Sequence, residues 1–473
     1  MILVRRILSV AASFVILLAL TIYGAVEPAT YLSLTLVMGG ILLAGVSLFG
    51  LPAKPKSAIL VTVGIAAAVT VWVVAQTTPL PAKFMSDDAW RELAEPAAGV
   101  ISLSPGDDLA ALLKVLLPFA GFLVTLILFD TDERALGFLR LLVLGAAILA
   151  AVALAQFFED PGSLLFVEKR FYRDSFTGFF VNRNTAATFF ATALLASIAL
   201  TLRTLKRIPV AALTVAWNTV GPLSPVARSA LLRAGFSLFL TLVLLVALVL
   251  TKSRAGIGCF VVALGVLMLI RTFGSRKHGA ASGTTPVQIW RRRAGVGLAL
   301  IAVLFSINLV FGQVLLRAQT ASTTDPRFCV IPAIARAVLD HLPAGSGLAS
   351  FRTVFPAYRD ASCGIAFVWD MAHNVYLEGL LSLGLLFPVV LLCALYTLSR
   401  IFVLGMKTRR RYRFAPQLGL AVLLLVVLHS ALDFSIQIPG YALYFATILG
   451  CLVTISTGGG AAKREDMDGS AST

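Results

Sequence analysis

Apolar runs of about 17 to 25 residues recur along almost the whole chain, and no other feature constrains its fold as tightly. Each run can cross a hydrocarbon core about 30 Å thick as an α-helix, whose backbone amides are satisfied within the segment. A transmembrane barrel would instead show alternating segments of about ten residues. The expectation is therefore an all-α polytopic membrane protein with about 12 spans. They centre on residues 7–26, 31–51, 57–77, 109–129, 136–157, 185–203, 234–251, 255–270, 294–312, 373–397, 416–434 and 439–456. Composition agrees: 59% of the 473 residues are hydrophobic and 13% are charged, whereas soluble domains sit nearer half and a quarter. The start, Met1 to Arg6 followed by an apolar run, has no small-x-small cleavage site and reads as the first span rather than a signal peptide.

Lys and Arg number 39 against 23 Asp and Glu, a net charge of +16. With a cytoplasmic N-terminus, roughly 25 of the 39 basic residues fall in inside loops, as the positive-inside rule requires. The excess is thus accounted for by topology, and no nucleic-acid partner is expected. Residues 78–108, 158–184 and 313–372 then lie outside. The expected organisation is spans 1–9 over 1–312, a periplasmic loop domain over 313–372, spans 10–12 over 373–457 and a disordered cytoplasmic tail over 458–473. Cysteines are few. Cys259, Cys393 and Cys451 sit in spans as small apolar fillers, while Cys329 and Cys363 share the long loop, where an oxidising compartment favours a disulfide.

The informative cations are those on the wrong side. Lys252 and Arg254 lie in the turn Thr251-Lys-Ser-Arg254 between two spans. Snorkelling side chains would serve such a turn, but two cations there favour an anion site. Asn182-Arg183-Asn184 precedes the sixth span; Asn184 reads as a helix cap, and Arg183 adds its charge to a helix N-terminus that already favours anions. Arg327 and Arg352 lie in the long loop. His373-Asn374 opens the tenth span, where a histidine can be a passive interface anchor. Facing cations, its protonated form would be disfavoured, which suits a general base. His429 and Asp433 are four apart near the end of span eleven, a spacing that permits a hydrogen bond.

No HExxH, GxxxxGK[ST] or GxSxG occurs, nor a cysteine pair at zinc spacing. The outer carboxylates are scattered, so no metal and no cofactor are expected. A cationic site of this kind relies on arginines, whose planar guanidinium groups make bidentate contacts to phosphate.

At these residues the chain resembles the O-antigen ligase and polymerase superfamily of bacterial inner-membrane glycosyltransferases. The resemblance is carried by Gly178-Phe-Phe-Val-Asn-Arg183-Asn184, by Thr251-Lys-Ser-Arg254-Ala-Gly256, and by Asp325-Pro-Arg327 ahead of His341-Leu-Pro343-Ala-Gly345-Ser-Gly347. It continues in His373-Asn374-Val-Tyr376-Leu377 and in His429-Ser-Ala-Leu-Asp433-Phe434. It runs from about residue 170 to the end; the N-terminal third is similar only in hydropathy. One departure is that Arg327 is followed by Phe-Cys-Val-Ile-Pro332, where many relatives carry a tryptophan.

The resemblance implies a glycan donor on undecaprenyl diphosphate and a multi-pass protein of the inner membrane acting at its periplasmic face. It implies that Arg254 and Arg327 bind the diphosphate with help from Arg183, and that His373 activates the acceptor hydroxyl; Lys252, from its place in the same turn as Arg254, is a further diphosphate-binding candidate. Arg352, Asn374, His429 and Asp433 would support them. A ligase would use a lipid A core or a protein as acceptor in lipopolysaccharide assembly; a polymerase of O-antigen or exopolysaccharide would use another lipid-linked chain. A polysaccharide or lipid transporter is the competing class, but no span carries a central charge and no broken helices repeat in matching halves.

Overall fold

The computed structural model describes residues 1–79, 99–165, 167–209, 223–273, 297, 329–360, 363 and 368–458. Among them, membrane-length helices dominate: α1 (Ile2–Thr21), α2 (Pro28–Phe49), α3 (Lys56–Thr77), α4 (Pro105–Leu128), α5 (Asp132–Glu159), α6 (Arg183–Leu205), α7 (Pro225–Leu250) and α8 (Arg254–Phe273). Two short helices follow, α9 (Ile331–Asp340) and α10 (Phe351–Tyr358), then α11 (Val375–Leu383), α12 (Leu386–Thr408), α13 (Phe414–Ser430) and α14 (Pro439–Thr457). Among the described residues the only strands are β1 (Ser163–Leu164) and β2 (Val167–Glu168), an antiparallel pair. Ten of these helices are long and apolar enough to cross a membrane, and α13 is a shorter apolar helix. The all-α polytopic class is therefore what the chain adopts. The ninth expected span falls, apart from Gly297, outside the described residues, as do Arg327, the polar segment 274–283 and residues 459–473 of the tail.

Local signals start the helices. Pro28, Pro105, Pro225 and Pro439 occupy first-turn positions, where the missing amide costs nothing. Thr131, Asn182, Ser224 and Asn374 accept amide hydrogens as N-caps. Packing then sorts the spans. The helices α6 and α14 are almost wholly buried, while α1, α7 and α12 keep large apolar side chains such as Phe14, Phe239 and Leu392 exposed, as lipid-facing helices do. Small residues explain the position of α6. Ala187, Ala191, Thr188 and Thr192 let neighbouring backbones approach, and Gly256 of α8 meets Ala187 so closely that a Cβ there would clash.

The tenth expected span, 373–397, is not continuous. It divides at Gly384 (φ +59°) into α11 and α12. The segment Pro343-Ala-Gly-Ser-Gly347 docks on the break: Ser346 and Gly347 donate their amides to Leu381 and Ser382 carbonyls, and Leu385 donates to Pro343. A Cβ on Gly345 or Gly384 would collide with the facing backbone. With these carbonyls used by the loop segment, one helix cannot run through. Consequently α11 joins a small separate core, in which Leu381 packs with Ile334, Val338, Phe351, Phe355 and Ala372. Cys329 and Cys363 are disulfide-bonded at the edge of that core, their Cα atoms 5.7 Å apart.

The bundle has two unlike faces. On one, Arg5 pairs with Asp130 at 2.8 Å, Arg134 with the same carboxylate at 2.7 Å and Arg409 with Asp132, while Arg203 lies over Tyr412 and Phe414. The other collects the start of α6, the α7–α8 turn, the start of α11 and the end of α13.

Candidate active site

The loop before α6 is pinned to the bundle by its aromatic residues. Phe176 donates its amide to Leu250 O at 3.1 Å and its ring stacks on Phe190, while Phe179 and Phe180 are buried beside it. This fixes the chain's entry into α6. Asn182, rather than Asn184, is the N-cap: its Oδ1 accepts the Asn184 amide at 2.7 Å. With Asn182 in that place, the Asn184 side chain serves elsewhere.

Asn184 bridges two segments far apart in sequence. Its Oδ1 accepts from Ser253 Oγ at 2.8 Å, and its Nδ2 donates to Asp433 Oδ2. Asp433 is fully buried, takes the Phe434 amide on Oδ1 at 2.8 Å, and places Oδ2 3.6 Å from Nδ1 of His373. A hydrogen-bonded chain thus runs Ser253, Asn184, Asp433, and the far end of that carboxylate faces His373 without a direct hydrogen bond. One turn further along α6, Thr188 donates to Ser435 Oγ at 3.2 Å, and its hydroxyl lies 3.1 Å from Nδ1 of His429. Between His429 and Asp433 the backbone amide of the latter bonds the carbonyl of the former at 3.0 Å.

His373 adopts φ +54°, a left-handed conformation that L residues rarely take outside special positions. Its ring is held edge-on between Trp369 and Phe434, at centroid distances of 5.2 and 4.7 Å. Nδ1 is buried and turned to the carboxylate, so the 20% of the side chain still exposed belongs to the rest of the ring. Asn374 fixes the following residues: Oδ1 caps α11 by accepting from Tyr376 and Leu377, and Nδ2 donates to Ala431 O at 3.1 Å.

The cations gather beside this chain. Arg183, the first residue of α6, lies over the Tyr172 ring at 5.1 Å and donates to Ser175 Oγ at 3.4 Å, while its Nε is buried without a hydrogen-bond partner. Lys252 is also left-handed (φ +54°) and donates to Asp174 O at 2.7 Å. The Asp174 carboxyl is held below the usual carboxylate range, first by its bond from Ser175 and then by Lys252. Burial pushes the Lys169 ammonium below the usual lysine range. Arg254 begins α8 with an exposed side chain, next to the Ser253 that holds Asn184. Arg352 sits on α10 with Asp370 3.5 Å away, both exposed. Among the described residues no three His, Cys, Asp or Glu side chains gather as a metal-holding group.

The structure therefore brings Asn184, Ser253, His373 and Asp433 into one network, with His429 joined through Thr188 and with Arg183, Lys252 and Arg254 in the flanking segments. Ser253, Thr188 and Ser435 were not singled out from sequence. A signal was present: Asn184, Thr188 and Thr192 repeat every four residues in an apolar helix, one polar stripe on one face.

A many-span helical bundle with a histidine, a carboxylate and several cations at one face defines a membrane protein of polar, site-bearing type. Residues 236–393, about a third of the chain, match the family model described as O-antigen ligase. Over that segment the chain is similar to the O-antigen ligase family, and its many membrane-length helices make it a multi-pass membrane protein. The matched segment runs from α7 into α12 and holds Lys252, Arg254, Arg327, Arg352, His373 and Asn374; Arg183, His429 and Asp433 lie outside it. No curated protein matches the chain.

Proposed function

We propose that the protein is an inverting, metal-independent glycosyltransferase of ligase type. It moves a glycan from undecaprenyl diphosphate to an acceptor hydroxyl on a lipid A core or protein at the periplasmic face of the inner membrane. The observation that carries the reading is the hydrogen-bonded chain Ser253–Asn184–Asp433 with His373 facing its far end, which brings together four segments that the sequence marks separately. In this reading the acceptor oxygen attacks the anomeric carbon as His373 takes its proton. The bond from that carbon to the diphosphate breaks with its electron pair left on the diphosphate oxygen. Asp433 stabilises the resulting imidazolium. Arg254, Arg327, Arg183 and Lys252 neutralise the leaving diphosphate, an effect largest where fixed charges face developing charge in a site of low dielectric. Attack opposite the leaving group inverts the anomeric centre.

The topology proposed with it puts both termini and the Arg5, Arg134, Arg203 and Arg409 face in the cytoplasm, following the positive-inside rule. The polymerase of the same superfamily is separated from the ligase by a deletion strain: free lipid-linked polymer of normal length means ligase, and single repeat units mean polymerase.

The test is purified full-length protein with lipid-linked donor and acceptor in chelator, scored for product and its anomeric configuration. General-base assistance contributes on the order of 10² to 10⁴ in rate, so His373→Ala should lose that much turnover while still binding donor. Near-normal turnover of that variant would remove His373 from the chemistry, and a requirement for divalent metal would overturn the arginine-only mechanism.

A further inference from the structure

One buried carboxylate takes no part in the reading above. Glu378 stands in the first turns of α11, five residues beyond His373, and is 8% exposed in a helix otherwise built of Val, Tyr, Leu, Gly and Ser. Lys114 of α4 acts on it electrostatically. Lys114, Glu378 and Gln437 line a cavity of about 440 Å³ between α3, α4, α11, α12 and α14, whose walls are mostly apolar side chains such as Val69, Phe122 and Leu449. A carboxyl group kept in such surroundings costs more than the leucine that would fit the helix pattern.

What Glu378 does there is specific. Its Oε2 accepts the amide of Ala372 at 2.7 Å. The start of α11 does not need this bond, because Asn374 already caps the helix by accepting two of its amides. The amide that Glu378 holds belongs to the residue just before His373, whose backbone is left-handed. On the other side, Asn374 is tied to Ala431. His373 thus lies between two anchored neighbours, with Nδ1 3.6 Å from Asp433 Oδ2.

We propose that Glu378 is a positioning residue for His373: by holding the Ala372 amide it keeps His373 in its left-handed conformation with Nδ1 turned to Asp433. The proposal rests on the reading of His373 as the base. A displacement of about 1 Å at a catalytic group can cost on the order of 10²-fold in rate. Glu378→Ala should therefore lower kcat by that order with KM for the lipid-linked donor unchanged. Glu378→Gln keeps an oxygen for the Ala372 amide and should recover most of kcat. Glu378→Asp keeps charge and acceptor but is one methylene shorter; it should fold normally and still lose kcat, which a merely structural role would not produce.

All variants are measured as full-length protein beside His373→Ala, with undecaprenyl diphosphate-linked glycan as donor and lipid A core as acceptor. If His373→Ala is inactive while Glu378→Asp and Glu378→Ala turn over at the wild-type kcat, the positioning role is wrong and the base reading stands. If His373→Ala remains active, the base reading fails, and with it the role given to Glu378. Should Glu378→Ala not accumulate, Glu378→Asp decides alone: wild-type kcat overturns the proposal and reduced kcat at unchanged KM supports it.

Discussion

Asp433→Asn separates what the carboxylate does for folding from what it does for His373. The substitution preserves shape and leaves Oδ1 for the Phe434 amide, but it replaces Oδ2 with an NH₂ group facing the NH₂ of Asn184. Turning the Asn184 amide over would remove the acceptor that Ser253 Oγ uses at 2.8 Å, so a buried polar group loses its partner either way. The expected destabilisation is about 1 to 3 kcal/mol. Catalysis loses something different, the negative charge beside an imidazolium. A hydrogen bond to a charged group contributes roughly 1.5 to 3 kcal/mol. At 3.6 Å the contact between Asp433 and His373 is longer than a direct bond, which selects the low end. About 1.5 to 2 kcal/mol corresponds to a fall of about 10- to 30-fold in kcat. Thermal unfolding in detergent reads the first effect, and steady-state transfer with saturating donor and acceptor reads the second. A folded variant with a lowered Tm and wild-type kcat would refute the support of His373 by Asp433 and leave that carboxylate as packing.

Two further expectations concern the flanks of the site. Arg254→Lys keeps charge but loses the planar fork, so transfer should fall about 10- to 150-fold, nearly as far as in Arg254→Ala; full activity in Arg254→Lys, or in Arg254→Gln at normal expression, would return the residue to a snorkelling anchor. The Cys329–Cys363 bond joins residues 34 apart, and the chain-entropy account assigns such a closure up to roughly 3 to 4 kcal/mol for the small core it borders. Peptide mapping without reductant should recover the linked pair from fresh membranes, and the Cys363→Ser variant should lose protease resistance in that core; both thiols found free would end the idea.

Much of the candidate site stands out by residue type alone, and the reason is the solvent. In a bilayer a charged or amide side chain is expensive, so Arg183, Lys252, Arg254, His373 and Asp433 stood out against apolar runs without any knowledge of their contacts. Interface and helix-cap residues are harder to interpret. Asn184 sits where a cap is expected, but Asn182 takes that role two residues earlier, and one sequence offers no means of choosing between them. Glu378 hid in the opposite way, as a single carboxylate in a run that reads as ordinary span.

The broken span shows where sequence stops. Hydropathy sees residues 373–397 as one apolar stretch, because α11 and the start of α12 are both apolar, one facing a small protein core and the other the membrane bundle. Side-chain polarity does not distinguish the two surroundings. The helix ends at Gly384 because carbonyls at 381 and 382 are taken by amides of residues 346 and 347, a bond between segments some 35 residues apart. Likewise, the sequence by itself determined that the chain is a helical membrane bundle, since long apolar segments have no other way to satisfy their backbones in lipid. Only the tertiary structure decided that His373 faces Asp433, because that pairing depends on how α6, α11 and α13 pack, and packing contacts between distant segments leave no period in the chain.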